Sequence, residues 1–179
     1  MSNKDRVYFC VYFQEGAAGT NANPPVFHCG LWVESKGSRG DGHFFHVQYH
    51  GPRPTNRPNY PDGWAYDSSV MRSRPADRRR SARLIGRILI GKLLVGITAQ
   101  HVHTVCQNVP LPGRNENCWD WARRAIQALQ ARRWIEEFGW RSFEADANKR
   151  AHDWYNRDRN MRRDHRWDMF GLDSHCTVM

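Results

Sequence analysis

The sequence has no apolar run approaching the length of a membrane span. A transmembrane helix needs roughly 20 consecutive apolar residues, and polar or charged residues interrupt every apolar segment here well before that length. The N-terminus, MSNKDRVYF, also lacks the order of charged and then apolar residues that marks a signal peptide. We therefore expect a soluble protein that is made and kept in the cytoplasm.

The chain also lacks the paired cysteine spacings of a disulfide framework or a zinc module. The cysteines are odd in number and contain no CxxC pair; they are Cys10, Cys29, Cys106, Cys118 and Cys176. Two groups of histidines, His43, His46 and His50 and then His101 and His103, have no acidic or cysteine partners at established ligand spacings. We predict free thiols, no metal site and no cofactor.

Acidic residues are scarce, which leaves a formal net charge of +9. Much of the excess lies in residues 71–92, where eight Lys and Arg residues face Asp77 alone. A basic segment of this kind raises the question of nucleic-acid binding. No zinc finger, helix-turn-helix or RNP signature accompanies it, so nucleic acid is not expected as a partner.

The first half of the chain has the composition of β-strands. Aromatic and β-branched residues alternate with turn-forming stretches, and the predicted strands are Arg6–Phe13, Val26–Glu34, His43–Tyr49, 63–71 and Leu84–Leu94. The glycine-rich turn between the second and third of these predicts an antiparallel hairpin. Segment 84–94 would also suit a buried helix, and its β-branched residues and glycines favour the strand.

The second half is predicted to be helical, with helices at Thr98–Asn108, Asn115–Ile135 and Phe143–Arg163. These elements indicate one α+β domain over residues 1–165, an antiparallel sheet of about four to six strands packed against helices. A proline-rich and basic insertion occupies about 51–83. Residues 166–179 are expected to form a flexible tail.

The helix at Asn115–Ile135 places Cys118 in its first turn, facing the core with Ala122, Ala125 and Leu129. The positive end of a helix stabilises a thiolate and lowers its pKa. Thiol enzymes also need a histidine to take the thiol proton and a polar group to orient that histidine. His28 and His46, on the two strands of the hairpin, are the candidates.

The order of these motifs resembles the circularly permuted papain-like proteins. The matching segments are His28-Cys29-Gly30-Leu31, Phe45-His46-Val47 and Asn117-Cys118-Trp119-Asp120-Trp121. They are similar to the histidine strands and Asn-Cys helix start of lecithin:retinol acyltransferase-like and NlpC-related proteins, and also to PPPDE-type isopeptidases. Uncharacterised fungal proteins of this type show a similar order, including an Ile-Gly-Lys strand like Ile90-Gly91-Lys92.

The resemblance implies that Cys118 is a nucleophile, His28 its general base and His46 the orienting residue, with Asn117 supporting the helix start. The implied activity is a hydrolase or acyltransferase that acts on an acyl, lipid or ubiquitin-like-conjugate carbonyl through a thioester. The alternative is an inactive papain-like scaffold that binds protein, membrane or nucleic acid. The residue pattern leaves acyltransferase and isopeptidase both open.

The C-terminus, Cys176-Thr177-Val178-Met179, matches the C-a-a-X pattern, in which a terminal Met is typical of farnesylation. One prenyl chain binds membranes only marginally. The basic residues 71–92 would add attraction to anionic lipid, worth about 1 kcal/mol per basic residue near the surface. Together these features predict reversible association with the cytosolic face of a membrane.

Overall fold

A computed structural model describes the chain at residues 4–13, 27–38, 41–51, 63–71, 83–158, 163–170 and 177–178. The lipidation candidate Cys176 and most of the basic segment, residues 72–82, lie outside these ranges. So does most of the proline-rich stretch.

Seven strands and three helices are found in this part of the chain. The strands are β1 Arg6–Phe13, β2 Phe27–Glu34, β3 Gly42–Tyr49, β4 Trp64–Met71, β5 Leu84–Lys92, β6 Arg163–Asp168 and β7 Thr177–Val178. The helices are α1 Ala99–Cys106, α2 Cys118–Ala131 and α3 Trp140–Arg157. The fold is therefore α+β, and each strand predicted in the first half of the sequence is present.

The strands lie side by side in the order β4-β3-β2-β1-β5-β6-β7, with β7 only two residues long. Neighbouring strands from β4 to β5 are antiparallel, and the predicted hairpin of β2 and β3 is confirmed. The expectation of a purely antiparallel sheet is wrong, because β6 pairs with β5 in parallel. That pairing joins two strands that are separated in the sequence by all three helices.

The parallel strand β6 was missed because its sequence, RDHRWD, is too highly charged to resemble a strand. Its position in the sheet depends on contacts with residues that are far away in the sequence. Gly86 of β5 lets the Trp154 ring approach closely, since an added Cβ would lie 2.5 Å from that ring and 2.7 Å from the His165 carbonyl oxygen. The last helix ends at Arg157, before the predicted Arg163, and residues 166–168 of the predicted tail lie in the sheet.

The three helices pack on one face of the sheet and bury its apolar side chains. Alternate residues of each strand point to this face, as the period of a strand requires, and Val7, Phe9 and Val11 of β1 are fully buried in the resulting core. Phe9 also contacts the Trp119 ring of α2, at 5.0 Å between centroids. This packing holds the beginning of α2 against the middle of the sheet.

The opposite face of the sheet combines aromatic rings with a buried ion pair. The Arg87 guanidinium of β5 donates to the Glu34 carboxylate of β2 at 2.9 Å and lies over the Trp32 ring, 4.8 Å from its centroid. Glu34 is 2% exposed and Arg87 4% exposed. None of the helices in the described ranges is long and apolar enough to cross a membrane.

Candidate active site

The first turn of α2 is capped by the side chains on either side of Cys118. The Asn117 side-chain oxygen accepts a hydrogen bond from the Trp119 N–H at 2.8 Å, and the Asp120 carboxylate accepts one from the Asn117 N–H at 3.1 Å. This reciprocal pattern is a capping box, which fixes where a helix starts. It places Cys118 at the first helical position, where unpaired amides and the helix dipole favour an anion.

The start of α2 lies against the open end of the β2–β3 hairpin. The two strands pair only from Leu31 to Val33 in β2, whereas β2 remains paired with β1 along its whole length. The indole N–H of Trp119 donates to the carbonyl oxygen of Phe27 at 3.1 Å, which ties the helix start to this end of β2. Cys118 is thereby held where β3 would otherwise continue the ladder.

The Cys118 sulfur receives three hydrogen bonds from β2. The Cys29 thiol, the His28 side chain and the Cys29 backbone N–H all donate to it. The Cys29 thiol has the largest effect, and despite the opposing cost of burial these donors and the His28 charge lower the pKa of Cys118 to about 5. Cys118 is therefore a thiolate at neutral pH.

Cys29 stays protonated beside this thiolate. Its side chain is fully buried in the core, and burial together with the hydrogen bond to Cys118 raises the pKa of the Cys29 thiol well above its usual value. Of the two sulfurs, only that of Cys118 has both a histidine partner and a helix N-terminus. The negative charge therefore belongs to Cys118 and the proton to Cys29.

His28 and His46 are joined directly by a hydrogen bond. The Nε2 atom of His28 lies 2.8 Å from the Nδ1 atom of His46, so Nδ1 is the ring nitrogen of His28 left for the Cys118 sulfur. The Nε2 atom of His46 lies 3.4 Å from the Asp67 carboxylate, on the neighbouring strand β4. Cys118, His28, His46 and Asp67 thus form one continuous polar chain.

Burial lowers the pKa of His46, and the hydrogen bond to Asp67 opposes that effect only in part. A neutral imidazole carries one proton. With that proton on Nε2, facing Asp67, Nδ1 accepts from the Nε2–H of His28. His46 is therefore suited to orient His28 and to accept from it when His28 is protonated.

A glycine and an aromatic ring hold His46 in position. The Phe44 ring stacks on the His46 imidazole, at 4.5 Å between centroids. Phe44 reaches this position only because Gly30 has no side chain: an added Cβ would lie 2.7 Å from the Phe44 ring and 2.6 Å from the Phe45 carbonyl oxygen. Gly30 thus allows the two histidine strands to approach each other.

Of the residues singled out in the sequence, the structure brings together Cys118, His28 and His46, and Asn117 caps the helix start. Sequence reasoning missed Asp67 and Cys29. Asp67 lies directly opposite His46 in the β3–β4 pairing, so pairing the predicted strands 43–49 and 63–71 would have indicated it. No comparable indication for Cys29 is present in the sequence. Successive side chains of a strand point to opposite faces, so a role for His28 does not suggest one for its neighbour Cys29.

A cavity of about 480 Å³ lies elsewhere, near the turn of the hairpin. It is lined by Val33, Gly42 and Thr98 among others, and by none of the four residues of the polar chain. Within the described ranges no three His, Cys, Asp or Glu side chains are arranged to hold a metal ion.

Comparison with known proteins connects this chain to one family. No curated protein and no solved structure shows significant similarity to it. A family model matches residues 4–175, which include every residue of the polar chain described above. The chain therefore belongs to DUF6914, a family of unknown function.

Proposed function

We propose that this chain is a cysteine-dependent hydrolase or acyltransferase with a permuted papain-like arrangement. The observation that carries the proposal is the polar chain Cys118–His28–His46–Asp67 at the start of a helix. A thiolate, a histidine that can carry its proton and a group that orients the histidine are the elements of nucleophilic thiol catalysis. The order of the chain, histidine strands before cysteine helix, is the reverse of the standard papain order and supports the permuted form.

In the first half of the reaction, the Cys118 thiolate attacks the carbonyl carbon of an ester, amide or isopeptide. The C–S bond forms as the carbonyl π electrons move to oxygen. His28, protonated at Nδ1, then gives its proton to the leaving oxygen or nitrogen, and the bond to that atom breaks. The product is a thioester on Cys118.

In the second half, neutral His28 takes a proton from water or from an acceptor hydroxyl or amine, which attacks the thioester. Collapse of the tetrahedral intermediate releases the acid or the transferred acyl product and restores the Cys118 thiolate. His46 remains neutral throughout, and its Nδ1 holds the Nε2–H of His28 so that Nδ1 of His28 stays aimed at sulfur. Water gives hydrolysis, and another acceptor gives transfer.

The helix start also supplies a group to stabilise the oxyanion. The amides of Asn117 and Trp119 are bound by the capping side chains. The amide of Cys118 lies between them at the N-terminal end of the helix, where the helix dipole favours an oxyanion. Preorganised donors of this kind are commonly the largest contribution to acyl-transfer catalysis.

The proposal is tested by labelling with a thiol-directed electrophile at pH 6. Cys118 should react there because its pKa of about 5 keeps most of it ionised. Cys106 should stay unlabelled, because burial raises its pKa to about 12. Below pH 5 the rate for Cys118 should fall as the thiolate is protonated, and peptide mapping assigns the label.

Turnover of an activated ester should depend on His28. His28→Ala should lower turnover by about 10²–10⁴-fold, the usual contribution of a general acid–base group. The matched control is His103→Ala, which removes a half-buried histidine bound to Tyr66 at 3.0 Å and should leave turnover near that of the wild type. If Cys118 labels no faster than Cys106 at pH 6, or if the two histidine variants behave alike, the protein is an inactive scaffold.

A further inference from the structure

Cys29 lies in hydrogen-bond contact with Cys118, and the proposed mechanism gives its sulfur no bond-forming step. Both sulfurs lie in the same buried core, between β2 and the start of α2. Both are free thiols in the structure. A thiolate and a thiol in contact are the arrangement from which a disulfide forms.

We propose that Cys29 and Cys118 are a site of reversible oxidation, at which a hydroperoxide converts the two thiols to a disulfide. The inference depends on the proposed function only in taking Cys118 as a reactive thiolate. Hydrogen peroxide is the smallest such oxidant. It is small enough to reach a cysteine that is only 5% exposed.

The first step makes a sulfenic acid on Cys118. The thiolate attacks one oxygen of hydrogen peroxide, an S–O bond forms, the O–O bond breaks, and hydroxide leaves and takes up a proton to become water. Two electrons pass from sulfur to the peroxide. His28, bound to the same sulfur, is placed to supply that proton.

The second step joins the two sulfurs. Cys29 loses its proton as its sulfur attacks the Cys118 sulfenic sulfur, the S–S bond forms, and the displaced hydroxide combines with that proton as water. The balance is two thiols and one hydrogen peroxide giving one disulfide and two waters. A dithiol reductant restores both thiols by exchange.

Cys29 is suited to this role because it contacts Cys118 and its own thiol stays protonated. As a buried thiol it does not compete with Cys118 for the peroxide. Cys10 lies in the cluster on the opposite face of the sheet. Cys106 lies at the end of α1 and serves as the matched control, since it is equally buried.

The disulfide would stop catalysis, because it consumes the nucleophile. It would also protect the site, because a sulfenic acid without a neighbouring thiol proceeds irreversibly to the sulfinic and sulfonic acids. Cys29 would thus decide whether oxidation of Cys118 is reversible.

The test treats the reduced full-length protein with hydrogen peroxide and follows intact mass and peptides mapped without reduction. The wild type should lose the mass of two hydrogen atoms, show a Cys29–Cys118 linked peptide and recover Cys118 labelling after dithiothreitol. Cys29→Ser should instead gain oxygen on Cys118 and fail to recover. Cys106→Ser should behave like the wild type.

Oxygen accumulating on Cys118 of the wild type without a disulfide, or a link from Cys118 to any other cysteine, would overturn the inference. If Cys29→Ser fails to fold, the wild-type result by itself decides whether the inference holds. Failure of the inference is distinguishable from failure of the proposed function. If reduced Cys118 labels at pH 6 but forms no disulfide, only the oxidation site is wrong.

Discussion

The two ends of the β2–β3 hairpin are held together by different kinds of hydrogen bond. Near the turn, Leu31–Val33 pair with His43–Phe45 in a regular ladder, and next to them the Glu34–Arg87 ion pair ties β2 to β5. At the other end the ladder stops. There the hydrogen bonds come from the side chains of His28 and His46 and from the start of α2.

The difference shows how the end of a regular sheet can lower the pKa of a thiol. A backbone N–H in a buried strand must find an acceptor. Where β2 is no longer paired with β3, the N–H of Cys29 donates to the Cys118 sulfur in place of a carbonyl oxygen. The end of the ladder thus contributes directly to lowering the pKa of Cys118.

Removing the ion pair next to the regular end of the hairpin should have the largest effect on stability. Glu34→Gln removes the carboxylate that faces Arg87 and leaves the buried guanidinium charge without that counter-ion, so the free energy of unfolding should fall by about 3–5 kcal/mol. Denaturant unfolding measures the change. The control Arg123→Gln removes a partly exposed pair with Asp120 at 3.3 Å and should cost about 0–1 kcal/mol; equal losses would contradict the expectation.

Forcing β2 and β3 apart at Gly30, between the paired and the open end of the hairpin, should have an intermediate effect on stability. Gly30→Ala puts a Cβ within 2.6 Å of the Phe45 carbonyl oxygen, and such overpacking costs about 1–3 kcal/mol. Labelling of Cys118 at pH 6 should also slow, because Phe44 and His46 must shift.

The matched control is Gly113→Ala, whose added Cβ would meet only the Glu116 carboxylate at 3.5 Å. It should change stability by less than about 0.5 kcal/mol. A Gly30→Ala variant with full stability and unchanged labelling would show that close approach of the strands is not needed.

Removing the helix cap at the open end of the hairpin should have the smallest effect on stability. Asn117→Ala removes the acceptor for the Trp119 N–H and should cost about 1 kcal/mol, again by denaturant unfolding. Asn108→Ala, which removes an exposed hydrogen bond to the Thr104 carbonyl oxygen, should cost less. If the two cost the same, the capping box does not fix the helix start.

Much of the local structure could be predicted from the sequence. The strands β1 to β5 follow from clusters of aromatic and β-branched residues between turns, and α2 follows from its apolar period and its Asn117 cap. The hairpin pairing, and with it the nearness of His28 to His46, follows from the short glycine-rich turn. These are properties of neighbouring residues, which act whether or not the rest of the chain is folded.

The remaining features exist only in the folded molecule. The charged segment β6 is a strand because the edge of β5 offers it backbone partners. The contact of Cys29 with Cys118 and that of Asp67 with His46 join side chains from different elements, whose distances depend on how strands and helix pack. The sequence alone singled out Cys118, His28 and His46 and the helix and strands that carry them. Only the tertiary structure decided that Cys118 carries the charge, because its pKa depends on hydrogen bonds and burial that no local pattern encodes.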